Sequence, residues 1–294
     1  MASAALRDTR RRIRSVEATK KITRAMELIA ASRIPKATAR VTASKPYTAK
    51  LIEVIENVGG AGSDVRHRLL ERRELSTVGV LVVSSDRGMA GAYASNIIRL
   101  AEQRIAALEK GGADVLIYAV GKKAQSYFRY RGYRIEQAYL GVTDTPGYNN
   151  ARAIANAVME AYATGRIDAL EAFYTRFNSA MTQTPISIEV LPITPPEAEK
   201  GEGPAVSYEF EPSPGEILNR LLPRYVEAII FSMLLEASAS EHSARRRAMK
   251  AATDNAEELI KSLTIAANRA RQAEITTAIT EIVGGAEALV DSKK

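Results

Sequence analysis

The chain has 294 residues, of which 46% are hydrophobic and 26% charged, close to the composition of an ordinary soluble protein of about two domains. It contains no cysteine, so disulfides, zinc–thiolate centres and thiol catalysis are excluded. No apolar run approaches the ~18–20 residues that cross a bilayer, and no apolar signal core follows the N-terminal charges. Composition therefore predicts a soluble, cytoplasmic protein.

The net charge of +7 is unevenly distributed. Residues 1–50 hold thirteen Lys or Arg and three Asp or Glu, so this segment carries +10 and the remainder carries −3. Such asymmetry predicts an acidic partner, and charge alone leaves nucleic acid, anionic lipid and an acidic protein surface open. The two histidines, His67 and His242, stand in unrelated contexts and are predicted to be surface or incidental residues.

Residues 3–34 contain neither glycine nor proline and are predicted to form an amphipathic helix. Pro35 and Pro46 interrupt the pattern, and a kinked helix is expected to resume at Tyr47 and run to Val58. We therefore assign residues 1–58 to an N-terminal coiled-coil helix. Its predicted apolar face consists of Leu6, Ile13, Val16, Thr19, Ile22, Met26 and Ile29.

The sequence between 59 and 215 has a different pattern. Residues 78–84 are a continuous apolar, β-branched run, as in a strand that is buried on both faces. Strands are also predicted at 115–120, 169–177 and 185–191, with helices at 92–110, 122–130 and from Asn149 or Asn150 to Thr164. This alternation predicts an inserted, open α/β domain, followed by a Pro/Gly-rich loop at 192–215 with a possible edge strand at 206–210.

The C-terminal segment, residues 216–294, is predicted to be a long helix. Residues 224–283 contain no helix breaker, and at ~1.5 Å per residue they would form a rod of roughly 90 Å. Mostly small residues recur three and four apart, which predicts a coiled-coil seam with a closely packed partner. The N-terminal helix is the natural partner, and an antiparallel arrangement is the simplest. The predicted seam consists of Met249, Ala252, Ala256, Leu259, Leu263, Ala266, Ala270 and Ala273.

Two sequence features are candidate chemical sites. The loop Ser85–Gly91 follows a strand and precedes a helix, where phosphate-binding loops occur, but it lacks G-x-G-x-x-G and Gly-Lys-Ser/Thr motifs. A structural turn, with an interaction surface as a further possibility, is therefore favoured there. The second feature is the basic run Arg245–Arg247, which fits either a solvated face with local salt bridges or contact with an acidic partner.

Several long motifs identify a family. The N-terminal segment 12–33, which reads RIRSVEATKKITRAMELIAASR, resembles the start of the gamma subunit of rotary F-type ATP synthases of the bacterial type. The segment 84–91, SSDRGMAG, resembles that family's SDRGLCG loop. Matching motifs also occur, in order, at 211–212, 221–227, 240–256 and 268–286, so the resemblance covers nearly the whole chain.

The resemblance implies an antiparallel coiled coil of the two terminal helices with an inserted Rossmann-like α/β domain. The coiled coil would turn inside a ring of three alpha and three beta subunits, and the α/β domain would lie near the epsilon subunit and the c-ring. Gamma subunits couple proton-driven rotation of the c-ring to the nucleotide states of the beta subunits. The resemblance implies no catalytic residue, cofactor, metal or nucleic acid. It implies membrane association through the c-ring, at the cytoplasmic face of the bacterial cell membrane.

Residue roles carry over by motif only. The alpha/beta ring would be contacted by Lys20, Lys21, Arg24, Met26, Arg245, Arg271 and Gln272. Within this set, Arg271 and Gln272 resemble the pair that binds an acidic catch loop on a beta subunit. A second set would contact the lever region of a beta subunit and the foot of the rotor, which is its end near the c-ring. This set is Asp86, Arg87, Gly88, Tyr208 and Glu211, of which the last two resemble positions facing the c-ring.

The sequence departs from the family pattern at two places. Met89-Ala90 replaces the usual Leu-Cys, and Arg246-Arg247 replaces an apolar pair. Two other functions are considered beside the rotor: a nucleotide-dependent α/β enzyme, which would require phosphate-binding motifs, and a basic coiled-coil nucleic-acid binder, which would be retained on heparin.

Overall fold

A computed structural model of the protein describes residues 4–60, 67–194 and 213–291. The chain forms two compact units, and each is described by itself. Unit 1 comprises residues 1–29 and 246–294, and unit 2 comprises residues 30–245. No helix in the described ranges is long and apolar enough to cross a membrane. The domain boundaries predicted from the sequence stay predictions.

Two long helices contribute to both units. Helix α1 spans Ala4–Gly60 and helix α5 spans Pro214–Asp291. Helix α1 continues through Pro35 and Pro46, although each proline removes a backbone donor at a cost of roughly 3 kcal/mol. Packing compensates in unit 2, because Val41 and Ile55 are each only 3% exposed. The break that the sequence suggested between 35 and 46 is therefore absent.

Unit 2 contains a five-stranded sheet with the order β3-β2-β1-β4-β5. The first four strands in this order are parallel to their neighbours, and β5 is antiparallel to β4. The strands are β1 Thr77–Val83, β2 Asp114–Val120, β3 Ile135–Tyr139, β4 Ala169–Phe177 and β5 Gln183–Leu191. The helices between them are α2 Tyr93–Lys110, α3 Lys122–Tyr130 and α4 Tyr148–Ala163.

The sheet of unit 2 is covered on both faces. Helices α2 and α3 pack on one face, and α4 packs on the other, together with the parts of α1 and α5 that belong to unit 2. Burial on two faces explains why β1 reads as an uninterrupted apolar run. The predicted α/β class is confirmed, but β3 was missed because Ile135–Tyr139 is short, carries two polar residues in succession and has no fully buried residue.

A turn at Gly147 starts helix α4. The Gly147 N–H donates to Asn150 Oδ1 at 2.9 Å, and Asn150 N–H donates to the Gly147 carbonyl at 3.1 Å. Asn150, the third residue of α4, thus accepts the otherwise free N–H of the N-cap residue Gly147. The sequence had suggested that Asn149 or Asn150 would itself be the N-cap.

Unit 1 consists of an antiparallel pair formed by α1 and α5. Thr23 lies opposite Thr253, with their hydroxyl oxygens 2.8 Å apart, and Lys20 lies opposite Glu257, with Nζ 3.3 Å from Oε2. Residue numbers on α5 therefore increase as those on α1 decrease, which confirms the antiparallel prediction.

The seam in unit 1 agrees with the prediction at five of its eight positions, and the other three, Leu259, Ala266 and Ala273, are exposed. Between 246 and 286, the buried or half-buried residues on α5 are Ala248, Met249, Ala252, Thr253, Ala256, Ile260, Leu263, Ala267, Ala270 and Glu274. Leu259, which the pattern placed in the seam, is 47% exposed. On α1 the predictions for Ile22 and Ile29 are also wrong, since these side chains are 61% and 53% exposed. The physical reason is that two adjacent apolar stripes run along each helix, and periodicity does not say which stripe faces the partner.

Candidate functional site

The loop after β1 is fixed by one carboxylate. Asp86 Oδ1 accepts from the backbone N–H of Lys122 at 3.1 Å, and Oδ2 accepts from the Thr143 N–H at 3.2 Å and the Thr143 hydroxyl at 3.0 Å. Burial alone would raise the pKa of Asp86, but these bonds and one from the backbone of Gly141 outweigh it and lower the pKa. Asp86 is therefore an anchor, and Arg87 beside it is exposed.

The structure brings together two predicted sites, Gly88 in this loop and Arg245 on α5. The Arg245 guanidinium donates to Glu241 Oε1 at 2.5 Å and to the Gly88 carbonyl at 3.4 Å. Arg245 is only 7% exposed and Glu241 only 2%. Burial raises the pKa of Glu241 despite the adjacent guanidinium. Arg245 therefore lies inside unit 2, whereas Arg246 and Arg247 are exposed.

The loop between β3 and α4, residues 140–147, contacts both long helices, and we call it the clamp loop. On α1, Arg33 Nη1 donates to the Asp144 carboxylate at 2.5 Å, and Arg40 donates to the Pro146 carbonyl. On α5, the Ser238 hydroxyl donates to the Asp144 carbonyl at 3.0 Å. The clamp loop thereby ties the sheet of unit 2 to both helices.

His242 on α5 also reaches the clamp loop. Its Nε2 lies 3.3 Å from the Asp144 carbonyl oxygen, which only accepts, so Nε2 carries the proton. The side chain is 3% exposed, and its Nδ1 has no partner among the described residues. Burial lowers the pKa of His242 and so favours the neutral imidazole. The prediction of a surface or incidental histidine is wrong for His242.

The predicted contact residues of unit 1 lie mostly at its surface. Lys21, Arg24, Arg271 and Gln272 are exposed, and Met26 and Lys20 are half-buried. Arg24 donates to Glu27 at 2.9 Å. Arg271 lines a surface groove between the two helices together with Leu6 and Arg10. Tyr208 and Glu211, like the possible strand at 206–210, lie outside the described residues.

Comparison with known proteins identifies the family. A family model described as ATP synthase matches residues 5–289. The ATP synthase gamma chain of Parafrankia sp. is 48% identical over 290 residues, covering 97% of each chain. That of Acidothermus cellulolyticus is 50% identical over 294 residues, covering 98% of each. The chain belongs to the ATP synthase gamma chain family.

The same fold is found in solved structures. A chain of the Euglena gracilis mitochondrial ATP synthase, from a structure of OSCP, F1 and c-ring in rotational state 3, gives a TM-score of 0.68. The match covers 99% of this chain and 96% of that one at 16% identity, so the likeness concerns the fold. As a member of the gamma family, the protein is the non-catalytic rotor shaft of an F-type ATP synthase, as its motifs predicted.

Sequence reasoning missed the clamp loop of this gamma chain. Asp144 and Pro146 follow a strand that was itself missed, and their partners Arg33, Arg40 and His242 are distant in the chain. The one available signal was the excess of arginine on α1, which was interpreted as a surface for a partner. The structure shows that two of those arginines bind within the chain.

Proposed function

We propose that the helix pair of unit 1 turns inside a ring of three alpha and three beta subunits. Rotation is driven by a proton-powered c-ring at the other end of the rotor, near the epsilon subunit. The turning shaft presents different side chains to each beta subunit in sequence and so drives it through its nucleotide-binding states. ATP forms on the beta subunits, and the gamma chain transmits the torque.

The observation that carries this proposal is the exposed apolar surface of unit 1. Nine large apolar side chains in this unit are between 47% and 72% exposed, more than scattered surface residues account for. They run along both helices, so a partner that covers them surrounds the pair. They are Ile22, Leu28, Ile29, Leu259, Ile265, Ile275, Ile279, Ile282 and Val283.

Two sets of polar side chains on the shaft are proposed to contact the beta subunits. Arg271 and Gln272 donate to an acidic catch loop on a beta subunit, and Lys20, Lys21 and Arg24 face acidic beta residues near Met26. The exposure of the Arg271 and Gln272 side chains supports such contacts. Exposed ion pairs are worth only ~0–1 kcal/mol each, so they can break and reform as the shaft turns.

The proposed lever contact centres on the loop that Asp86 anchors. Arg87 is its exposed basic member and would meet the acidic beta lever. Arg245 is buried beside Gly88, so we assign it the part of holding this loop in position. Tyr208 and Glu211 are proposed to face the c-ring. This arrangement would place the protein at the cytoplasmic face of the bacterial cell membrane, held there by the c-ring.

The test is co-purification from native membranes. The tagged gamma chain should bring down alpha, beta and epsilon subunits together with the c-ring. Recovery without alpha or beta subunits would contradict the proposal. Retention on heparin with steep dependence on salt, in the absence of those subunits, would favour the nucleic-acid binder instead.

A further inference from the structure

We propose that the clamp loop is the joint through which torque passes from the α/β sheet to helix α1, with Asp144 as its central positioning residue, whereas α5 is bonded both to this loop and directly to strand β4. The inference rests on the rotor function and adds the path of the load within unit 2. It concerns contacts made inside the chain, so it is separate from any contact with a partner subunit.

The covalent junctions of the sheet to the helices lie far from the clamp loop. Helix α1 ends at Gly60, and the 20–27 residues from there back to Arg40 and Arg33 correspond to roughly 30–40 Å of helix. Helix α5 begins at Pro214, and Ser238 and His242 lie a similar distance along it. Strand β4 is bonded directly to this stretch of α5, because the Phe177 N–H donates to Glu236 at 3.1 Å and the Ser240 hydroxyl donates to the Thr175 carbonyl at 3.1 Å. On α1, the hydrogen bonds of Arg33 and Arg40 to the clamp loop stand beside apolar packing.

Apolar packing does not resist twisting as directional bonds do. At the level of the clamp loop it consists of a small cluster of Val41, Phe177, Leu235 and Ala239. Hydrophobic contact is non-directional, so smooth surfaces in contact can slip past one another. The bonds of Asp144 and Pro146 to the two helices have preferred angles and lengths, so they oppose rotation of the helices against the sheet.

The clamp loop is itself rigidly attached to the sheet. Thr143 is 3% exposed and is held by Asp86, which also binds the backbone of Lys122 at the start of α3. At the same end of the sheet, the backbones of Gly121 and Ser85 pack closely against each other. A Cβ on Gly121 would lie only 2.9 Å from the carbonyl carbon of Ser85. A continuous series of bonds therefore runs from β1 through Asp86, Thr143 and Asp144 to both helices.

The position of the clamp loop is where such a joint is needed. Arg33 and His242 each lie three residues from an end of unit 2, at Ala30 and Arg245. The two helices are thus fastened to the sheet just before they leave the unit. A load applied to the sheet would enter both helices at this point, instead of passing along the roughly 30–40 Å of helix from their covalent junctions.

Torsional stiffness in the assembled complex tests the joint. The chain has no cysteine, so a single cysteine at exposed Arg129 on α3 provides an attachment point for a nanorod. The complex is fixed to a surface through its beta subunits, with native cysteines of the other subunits replaced. In a stalled complex, the angular variance of the rod reports the torsional compliance between the sheet of the gamma chain and the ring of alpha and beta subunits. Arg33→Gln and Asp144→Asn each remove the ion pair between α1 and the clamp loop. They should raise this variance by less than about twofold, because the bonds of α5 to β4 and to the Asp144 carbonyl remain.

Two control variants separate a joint from a general effect. Arg33→Lys keeps the charge and should restore most of the stiffness. Arg166→Gln removes the pair with Glu136, whose N–O distance of 2.5 Å and partial exposure match those of Arg33–Asp144, but which lies within the α/β fold. An unchanged variance in Arg33→Gln and Asp144→Asn, or an equal rise in Arg166→Gln, would overturn the joint while leaving rotation intact. Failure of the unsubstituted complex to rotate would instead count against the rotor function.

Discussion

At the scale of single residues, Arg271 and Gln272 are the most direct test of a partner contact. Both are exposed on unit 1, so their removal should leave the fold of the chain unchanged. Alanine at both positions should lower ATP synthesis or assembly of the complex, because the hydrogen bonds to the beta catch loop are lost. Synthesis is measured in membrane vesicles and assembly by the yield of purified complex.

The matched control for this pair is Arg269→Ala, an exposed arginine two residues away on a different face of α5. It should retain more synthesis than the double variant. Normal synthesis and normal assembly in the double variant would remove the role assigned to Arg271 and Gln272.

His242 makes the stability of unit 2 depend on pH. Burial lowers its folded-state pKa below the ordinary value of 6.5, with the nearby Arg245 and Arg33 acting in the same direction and Asp144 opposing them. The unfolded chain therefore binds a proton at a pH where the folded chain does not. The stabilisation is present above pH 6.5 and is lost as the pH falls through the folded-state pKa.

The prediction is that His242→Gln weakens this dependence. The glutamine amide can still donate to the Asp144 carbonyl, but it does not titrate. The melting temperature of the wild-type chain should fall more than that of the variant between about pH 7.5 and 5.5. Because both chains share the titration of Glu241 and Asp86, parallel curves would show that His242 does not contribute.

At the scale of elements, sequence patterns located most helices and strands correctly. Uninterrupted apolar runs marked β1 and β2, and glycines marked several helix ends, because such signals are local. The strand Ile135–Tyr139 was missed because it is short and half-buried. The predicted seam was wrong at Leu259, Ala266 and Ala273, because the choice between two adjacent apolar stripes depends on the partner helix.

The observed seam gives a prediction opposite to that of the sequence pattern. Ala256 is 8% exposed and faces α1, so Ala256→Asp buries an unpaired charge and should cost on the order of 3 kcal/mol. Leu259→Asp places the same charge on a surface position that is 47% exposed, where the cost should be below about 1 kcal/mol. The loss of helical circular dichroism during urea unfolding of the full chain measures both.

This pair of variants is its own control, because the same residue is introduced three positions apart on one helix. A larger loss for Leu259→Asp than for Ala256→Asp would restore the seam predicted from the sequence. The buried hydroxyl pair Thr23–Thr253 explains how a seam of small residues keeps one register, since polar seam residues specify alignment at some cost in stability.

At the scale of the whole molecule, charge is separated along the chain, and its distribution has two uses. Arginines near the end of unit 2 bind the clamp loop, while Arg10, Arg14 and Lys21 remain at the surface of unit 1. Sequence reasoning identified the excess of charge but not this division, because the partners of Arg33 and Arg40 are more than one hundred residues away.

The surface charge of unit 1 should act mainly on the rate at which the complex forms. A positive surface accelerates encounter with acidic subunits over roughly a Debye length, about 10 Å at 0.1 M salt. The triple variant with Arg10, Arg14 and Lys21 changed to glutamine should therefore reassemble with alpha and beta subunits several-fold more slowly at low salt. The difference should shrink towards 1 M salt, where the Debye length is about 3 Å.

Stopped-flow mixing of labelled subunits measures the rate of reassembly. As a control, glutamine at Arg99, Lys110 and Arg129 of the α/β domain removes the same charge from a different part of the chain. Equal slowing by the two triple variants would mean that net charge, and not its position on the shaft, governs assembly.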